Sequence, residues 1–228
     1  MPSSAERRLV ARRRVTLTFD NGPHAAGTPV VLEALARRGL KATFFLVAEK
    51  LGDPGLRALA QEVRAQGHTL ANHTLTHGTP LGQRPEPGVA EREIGEAQRL
   101  LDGLATGRLF RPNGAGGQLG AHMLSEAAVD YLEAQGYTTV AWNCVPGDWI
   151  APPGAWVGRA LEAMQAQDWT LLVLHDYCAG TGADLERFLD TLLAAGYEFT
   201  QDFPPGCVLL QDGRRQPALE GNYIPRMG

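Results

Sequence analysis

The sequence predicts an α/β fold in which crossover helices connect the strands of a parallel sheet. Two observations support this prediction. Short apolar runs alternate with helical segments about six times along the 228 residues, and a last strand follows; parallel strands need connections of this kind. Four predicted helices also end just before a glycine, which supplies the left-handed conformation that closes a helix. A closed or partly closed barrel fits this pattern as well as an open sheet.

The predicted elements follow one another without a dividing linker. The strands are expected at residues 15–19, 41–47, 68–71, 109–111, 138–143, 170–175 and 198–200. The helices are expected at residues 29–38, 54–66, 91–104, 123–135, 155–167 and 185–195. Thr28 and Asp53, each followed by a proline, are the expected capping residues of the first two helices. We therefore expect a single domain over residues 1–228, with a core at about 15–203 and an extended tail over 204–228.

Composition and charge exclude several classes of protein. With 44% apolar and 20% charged residues, the chain has the composition of an ordinary globular protein. Its formal charge of −4 disfavours a polyanion, so we expect no nucleic-acid partner. The longest apolar runs fall far short of the roughly 20 residues that span a bilayer, so we expect no membrane partner.

The arginines and cysteines bear on the location of the protein. Five arginines lie between residues 7 and 14, but the apolar stretch of about 7–15 residues that an export signal requires does not follow them. We interpret them as a solvated basic segment, with a weak phosphate or nucleic-acid contact as the alternative. The three cysteines show no CxxC spacing, which is typical of reduced thiols. These features predict a cytoplasmic protein.

Chemically active side chains follow five of the predicted strands. In parallel α/β folds, functional groups gather at the carboxyl ends of the strands. The residues at these positions are Asp20, His73, His77, Arg111, Asp148 and His175. Because acids, histidines and an arginine occupy equivalent places along the chain, the sequence predicts a catalytic site at one rim of the sheet.

His73 and His77 are candidate metal ligands. They are four residues apart, so one helical turn would place both imidazoles on one face. This spacing suits two ligands of a divalent transition metal such as zinc, and two polar surface histidines are the alternative. The pair lacks the glutamate of an HExxH motif, so Asp20 is the candidate for the general base.

His175 and Arg111 each have a structural alternative to a catalytic role. His175 ends an apolar strand and is either a core histidine or a general acid that Asp148 favours in the imidazolium form. Arg111 either keeps Asp20 ionised by pairing with it, or forms an ordinary ion pair at the rim.

Five ordered motifs in this chain resemble those of the polysaccharide deacetylases, which are also called the NodB-homology group or carbohydrate esterase family 4. They are TFDNGP at 18–23, HTLTH at 73–77, FRPNG at 110–114, GDW at 147–149 and LVLH at 172–175. The resemblance implies a distorted (β/α) barrel of about seven parallel strands with surrounding helices. It also implies metal-assisted hydrolysis of an N-acetyl or similar carbon–nitrogen bond.

The resemblance further implies roles for individual residues. Asp20 would be the catalytic base, tuned by Arg111. His175 would protonate the leaving amine, tuned by Asp148. Leu174 would help to form the pocket for the acetyl methyl group. The implied metal ligands are His73, His77 and Asn21, and the implied substrate contacts are Asn113, Gly114, Trp149 and Leu174.

Two positions depart from the family pattern. Asn21 stands where the family usually has a second aspartate as third metal ligand, so a negative charge beside the metal is lost and weaker metal binding, or none, is expected. Asn113 and Gly114 stand where an aromatic residue usually follows the arginine, which reduces the surface for sugar stacking. A backbone N–H at that place can still stabilise an oxyanion.

Three hypotheses for the function follow. The first is a metal-dependent hydrolase that deacetylates an N-acetylated sugar or short oligosaccharide, with a divalent metal, expected to be zinc, as cofactor. The second is a metal-independent hydrolase of a small amide, cyclic imide or ureide on the same fold. The third is a non-catalytic carbohydrate-binding derivative, and the coupled acid and base argue against it.

Overall fold

The computed structural model describes residues 13–179, 182–219 and 223, and within them nine strands form one sheet. Seven of these strands pair in parallel, as the sequence predicts. The strands are β1 (Arg14–Gly22), β2 (Thr43–Leu46), β3 (Thr69–Asn72), β4 (Leu109–Phe110), β5 (Thr138–Val140), β6 (Trp169–His175), β7 (Glu198–Thr200), β8 (Val208–Gln211) and β9 (Arg214–Arg215).

Strand β1 pairs with three other strands of the sheet. β6 pairs with one edge of β1, while β7 and then β2 pair with the other edge. The parallel order continues from β2 through β3 and β4 to β5. Beyond β5, Cys144 forms a parallel bridge with Leu172 of β6. The sheet therefore curls back on itself, and the distorted (β/α) barrel is confirmed.

Alternation along β1 separates the hydrophobic core from the catalytic groups. Val15, Leu17 and Phe19 belong to the large apolar cluster that packs against the helices. Thr18 and Asp20 are also buried, but on the opposite face of the strand. Because successive side chains of a strand point to opposite faces, one strand supplies both the core and the interior of the barrel.

Seven α-helices and a set of shorter turns connect the strands within the described ranges. The helices are α1 (Gly27–Ala36), α2 (Pro54–Ala65), α3 (Ala97–Leu101), α4 (Glu126–Ala134), α5 (Ala155–Gln165), α6 (Asp176–Ala179) and α7 (Ala183–Ala194). A π-helical segment, Glu91–Glu96, precedes α3. Short 3₁₀ turns cover Ala48–Gly52, Leu81–Gln83, Ala115–Gly117, Pro205–Cys207 and Pro217–Leu219.

The predicted capping residues and closing glycines are present at every position except Thr28. Asp53 caps α2, since its carboxylate accepts hydrogen bonds from the amides of Gly55 and Leu56. Thr28 is not the cap of α1, which begins at Gly27; its hydroxyl instead donates to the buried carboxylate of Asp176 and so ties α1 to the end of β6. The glycines that follow four helices all have positive φ, and they are Gly39, Gly67, Gly136 and Gly196.

Two predicted helices are shorter or less regular than expected. The segment predicted at 91–104 is π-helical in its first part and ends at Leu101. The helix predicted at 123–135 begins at Glu126, because the side chain of Ser125 accepts a hydrogen bond from the amide of Ala128 and caps the helix there.

Part of the segment after residue 204, which the sequence predicts to be an extended tail, joins the sheet. β8 pairs with β5 in the antiparallel direction, and β9 pairs with β8 in the same way. These strands are four and two residues long, too short to show a period in the sequence. The arginine-rich segment up to residue 12, residues 180–181 and 220–222, and the last five residues lie outside the described residues.

No helix in the described part of the chain is both long and apolar enough to cross a membrane. The cytoplasmic location stays a prediction from the sequence.

Candidate active site

A cavity of about 240 Å³ opens at the carboxyl ends of the parallel strands. It brings together most of the residues singled out in the sequence: Asp20, Asn21, His73, His77, Gly114, Trp149 and His175. Arg111 and Asp148 do not line the cavity and lie behind this layer, where each contacts one of the lining residues. The strand-end positions were therefore a sound guide to the site.

Asp20 and Arg111 form a buried ion pair. The arginine is fully buried, and its Nη1 donates to Asp20 Oδ1 at 2.8 Å and to Thr18 Oγ1 at 2.7 Å. Its Nη2 donates to the carbonyl of Ala141 at 3.2 Å. Burial acts to raise the pKa of Asp20. The charges of Arg111 and the nearby histidines together outweigh this effect, so the pKa lies below the ordinary value. Asp20 is therefore a carboxylate at neutral pH.

His73 presents one ring nitrogen to the cavity side. Its Nδ1 donates to the backbone carbonyl of Arg111 at 2.8 Å, since a carbonyl can only accept. This bond leaves the lone pair on Nε2, which lies 3.5 Å from Asp20 Oδ2. Burial lowers the pKa of His73 to about 3. A neutral imidazole held in one tautomer by a backbone carbonyl is the form in which histidine binds a metal.

His77 reaches His73 through a turn and not, as predicted, through a helical repeat. The two ring centres lie 4.9 Å apart. Thr74 and His77 have φ values of +70° and +52°, which no right-handed helix contains. The turn is held because the His77 amide donates to Thr74 Oγ1 at 2.9 Å, and the Thr74 amide donates to Asn72 Oδ1 at 2.9 Å. The two histidines therefore lie together as predicted, but a non-helical turn brings them together and not a helix.

Asn21 offers an unpartnered oxygen to the same site. Its φ is +69°, a region that asparagine tolerates better than most residues. Its Oδ1 is buried and has no hydrogen-bond partner, an arrangement that costs free energy unless a ligand supplies one. No three His, Cys, Asp or Glu side chains cluster as a metal site in the described ranges. A cation held by His73 and His77 would take this amide oxygen as its third protein ligand, and such a set of donors fits a divalent cation.

His175 is held by Asp148 on the other side of the cavity. Its Nδ1 lies 2.8 Å from Asp148 Oδ1. Burial acts to lower the pKa of His175, but the hydrogen bond and charge of Asp148 outweigh it and raise the pKa above its ordinary value. The ring also lies edge-on to Trp149, with centroids 5.0 Å apart. Because Asp20 and His175 are paired residues of β1 and β6, the candidate base and acid are direct neighbours across the sheet.

Two of the predicted substrate contacts are in the wrong place. Leu174 is fully buried in the apolar cluster beneath the helices, and Val173 lines the cavity in its stead. His175 faces the cavity, so the residue two positions earlier shares its face and the adjacent one does not. Asn113 is buried and donates from Nδ2 to the carbonyl of Gly78 at 2.6 Å, so it holds the loop after His77 and does not line the cavity.

Other lining residues were not assigned to the site from the sequence, among them two aromatic residues. Trp142 lines the cavity, and its Nε1 donates to the carbonyl of Gly117 at 3.0 Å. Val145 and Tyr177 also line it. Tyr177 lies two residues after His175, and this proximity in the chain was the available signal.

The barrel and the cavity define a class of enzyme: a hydrolase with a carboxylate on one strand, a histidine on the adjacent strand and two further histidines beside the carboxylate. The chain belongs to the polysaccharide deacetylase family, whose model matches residues 8–140. The deacetylase resemblance of the five motifs is confirmed, and the chain is an enzyme of this family.

Individual relatives agree with this assignment. A chitooligosaccharide deacetylase of Rhizobium leguminosarum bv. phaseoli is 34% identical over 170 residues, which cover 73% of this chain and 69% of that protein. A peptidoglycan-N-acetylglucosamine deacetylase of Bacillus cereus is 27% identical over 195 residues, covering 81% and 84%. The fold is similar to that of a family 4 acetyl xylan esterase from Clostridium thermocellum in complex with a cobalt ion, with a TM-score of 0.68, 23% identity and coverage of 82% and 87%.

Proposed function

We propose that the protein hydrolyses the acetamido group of an N-acetylated sugar or short oligosaccharide, with a divalent metal, zinc, held by His73, His77 and Asn21. One observation carries the proposal: an ionised carboxylate and a histidine of raised pKa face one cavity from paired positions of adjacent strands. The two relatives described above are named as a chitooligosaccharide deacetylase and a peptidoglycan-N-acetylglucosamine deacetylase, and these names support the substrate class.

The metal would supply polarisation of the acyl oxygen and a more acidic water molecule. Its three proposed ligands are two neutral imidazoles and an amide, so no ligand charge reduces the positive charge at the site. This is the chemical consequence of Asn21, and it favours acidity of water at the expense of metal affinity.

Asp20 accepts the proton of the attacking water. The role needs a carboxylate that is ionised at neutral pH and held in a fixed orientation, and the bond from Arg111 Nη1 provides both. The second oxygen of Asp20 faces His73 at 3.5 Å, so the base lies beside the proposed metal ligand.

His175 donates a proton to the leaving nitrogen. Because Asp148 occupies Nδ1, the nitrogen that remains for the substrate is Nε2. The amine leaves as a neutral group only if it is protonated, and an imidazolium of raised pKa is populated at neutral pH to do so.

The cavity walls suggest where the substrate lies. Trp142, Val145 and Val173 form an apolar wall suited to the acyl methyl group. Trp149 is 39% exposed beside the cavity and offers a face for a sugar ring. The backbone at Gly114 lines another wall, where a peptide N–H can approach the acyl oxygen.

The test is an assay of N-acetylglucosamine, chitooligosaccharides of two to five units and cyclic imides. The readouts are release of acetate and free amine from the sugars and ring opening to the half-amide for the imides. Each substrate is assayed with metal-free protein, with added zinc and with a chelator, and Asp20→Asn serves as the inactive control. Zinc-dependent release of acetate from a sugar supports the proposal. Full activity in the chelator, or turnover of imides alone, would replace it with the metal-independent hydrolase. In the metal-independent hydrolase, Asn21 would not be a metal ligand.

A further inference from the structure

A buried glutamate, Glu93, bonds to the turn that carries His77. It lies in the π-helical segment Glu91–Glu96. Its Oε2 accepts from the amide of Thr76 at 3.1 Å and from the hydroxyl of Thr76 at 3.0 Å. Its Oε1 accepts from Arg84 Nη1 at 3.2 Å. The residue directly before His77 is therefore bonded through two of its groups to a buried carboxylate.

The backbone of the same π-helical segment holds the earlier part of the turn. The amide of Leu75 donates to the carbonyl of Glu93 at 2.8 Å. The side chain of Asn72 donates from Nδ2 to the carbonyl of Ile94 at 3.0 Å, and its Oδ1 accepts from the amide of Thr74 at 2.9 Å. Two neighbouring residues of the segment thus hold the whole turn, one part of it directly and the other through Asn72.

The shape of the turn requires contacts of this kind. Thr74 has a left-handed φ of +70°, which a β-branched residue rarely adopts. Such a conformation costs free energy and persists only where the surrounding structure fixes it. The bonds that fix it here come from a π-helical segment, a rare form of helix that occurs frequently at functional sites.

His73 does not depend on these contacts. Its amide donates to the carbonyl of Leu46 in β2 at 3.0 Å, and its Nδ1 donates to the carbonyl of Arg111 at 2.8 Å. Both partners lie at the ends of neighbouring strands. Loss of the bonds from the π-helical segment would therefore displace His77 relative to His73.

We propose that Glu93 is a positioning residue that sets the His77 imidazole beside His73 by fixing the turn between them. The inference rests on the proposed function, because the two imidazoles are ligands of the proposed metal site. Glu93 does not line the cavity, so it acts on a bound metal only through the turn. Zinc bonds to histidine nitrogens at about 2.0–2.1 Å, and a small displacement of one ring therefore weakens binding.

The test is a double-mutant cycle in zinc affinity, measured by calorimetry on the full chain after removal of bound metal. Glu93→Ala removes the acceptor for Thr76, and we expect zinc binding about tenfold weaker, as for the loss of a group that orients a ligand. Glu93→Gln keeps an oxygen for Thr76 and should bind zinc within about threefold of the wild type. In the His77→Ala background the turn carries no ligand, so Glu93→Ala should change the affinity less than about twofold.

Glu91→Ala is the matched control. It removes a carboxylate from the same π-helical segment, but one that is exposed and pairs with Arg99, so zinc affinity should stay unchanged. Melting temperatures show which variants fold. Thr76→Val removes the hydroxyl bonded to Glu93 from an exposed position and tests the same contact where Glu93→Ala does not fold. We expect it to weaken zinc binding about threefold, and to have no effect in the His77→Ala background.

Wild-type zinc affinity in folded Glu93→Ala, or in Thr76→Val where only that variant folds, would overturn the inference and leave the metal site in place. An equal loss in the wild-type and His77→Ala backgrounds would do the same, because it would show that Glu93 does not act through His77. Absence of zinc binding by the wild type would overturn the proposed metal site itself, and the inference with it.

Discussion

Asp148 holds His175 at two points. One carboxylate oxygen accepts from the ring Nδ1 at 2.8 Å, and the other accepts from the backbone amide of His175 at 2.7 Å. The first contact fixes the tautomer and favours the imidazolium, while the second fixes the end of β6 from which the ring projects. A single carboxylate thus controls both the protonation and the position of the candidate general acid.

The first prediction follows from this double contact. In Asp148→Asn only one of the two acceptors remains, because an amide nitrogen cannot accept a hydrogen bond. The negative charge that raises the pKa of His175 is also lost. A general acid must be protonated, so activity falls as pH rises through its pKa. We therefore expect the alkaline limb of the rate profile to move to lower pH, with kcat at neutral pH reduced about 10²-fold.

The measurement for Asp148→Asn is the pH dependence of kcat/KM, with Asp130→Asn on the exposed face of α4 as control. A drop in rate with an unmoved alkaline limb would mean that Asp148 acts only on the geometry of β6. A limb displaced to higher pH would contradict the assignment of His175 as the acid.

The second prediction concerns Thr18, which lies behind Asp20 in the barrel. Its hydroxyl accepts from Arg111 Nη1 and donates to the carbonyl of Leu172, both at 2.7 Å. Thr18→Val keeps the shape of the side chain. Arg111 Nη1 then loses one of its buried acceptors, and the carbonyl of Leu172 loses the hydroxyl that donates to it. We expect unfolding in urea to require about 1–3 kcal/mol less free energy, and activity to fall several-fold because Arg111 holds Asp20 less firmly.

Thr43 provides the control for Thr18. It is the partner of Thr18 in the pairing of β1 with β2, it is equally buried, and its hydroxyl has no hydrogen-bond partner. Thr43→Val should therefore be neutral or stabilising. Equal losses of stability in the two variants would show that the Thr18 hydroxyl contributes nothing through Arg111.

The sequence indicated most of the residues that line the cavity, because the topology of a parallel sheet brings the carboxyl ends of its strands to one rim. Once the strands were recognised, Asp20 and His175 had to end at one rim. The prediction failed where it ignored the alternation of side chains between the two faces of a strand. The leucine next to His175 was assigned to the cavity, although a side chain adjacent to one that faces the cavity must point away from it. The two-residue period of a strand places Val173 on the same face as His175, and Val173 is the residue that lines the cavity.

Other failures had no signal in the sequence. The approach of His77 to His73 depends on a left-handed conformation at Thr74, which a β-branched residue rarely adopts. The antiparallel strands β8 and β9 owe their existence to pairing with β5, a contact distant in the chain. Tertiary contacts decide such features, and local propensity does not reveal them.

The third prediction concerns stability in acid and a residue far from the catalytic groups. His68 is buried, its Nδ1 accepts from the amide of Ala42 at 3.1 Å, and its Nε2 has no partner. Burial lowers its pKa to about 4. Because the unfolded chain takes up this proton near pH 6.5 and the folded chain near pH 4, acid favours unfolding. The loss begins below about pH 6.5 and is complete below about pH 4, where it reaches roughly 3 kcal/mol.

His68→Gln retains an acceptor for the Ala42 amide but has no proton to gain in this range. Urea unfolding of the wild type and the variant at pH 7.5 and pH 5 measures the effect. We expect the wild type to lose about 2 kcal/mol more than the variant between the two pH values. Parallel losses in the two proteins would show that His68 is not the residue responsible.

The last prediction concerns the wall of the cavity at Gly114. A Cβ added there would lie 2.4 Å from Cη2 and 2.6 Å from Cζ2 of Trp142. The indole cannot simply withdraw, because its Nε1 is bonded to the carbonyl of Gly117. The φ of Gly114 is −124°, which any residue can adopt, so the obstacle to alanine is steric and not conformational. Gly114→Ala must therefore displace either the ring or the loop that lines the cavity.

We expect Gly114→Ala to raise KM and lower kcat/KM at least about tenfold, with a loss of stability of about 1–3 kcal/mol from overpacking. Trp142→Phe removes the two nearest atoms that an alanine would meet and leaves the carbonyl oxygen of Gln118, at 3.0 Å, as the next nearest, so the double variant should recover stability relative to Gly114→Ala. Gly116→Ala is the control in the same loop: a Cβ there meets nothing within 4 Å, and only its φ of +75° is unfavourable. The measurements are kcat/KM and urea unfolding of the wild type, the three single variants and the double variant. Wild-type kinetics in Gly114→Ala, or an equal loss in the Trp142→Phe background, would show that close packing of this glycine against the indole does not shape the cavity.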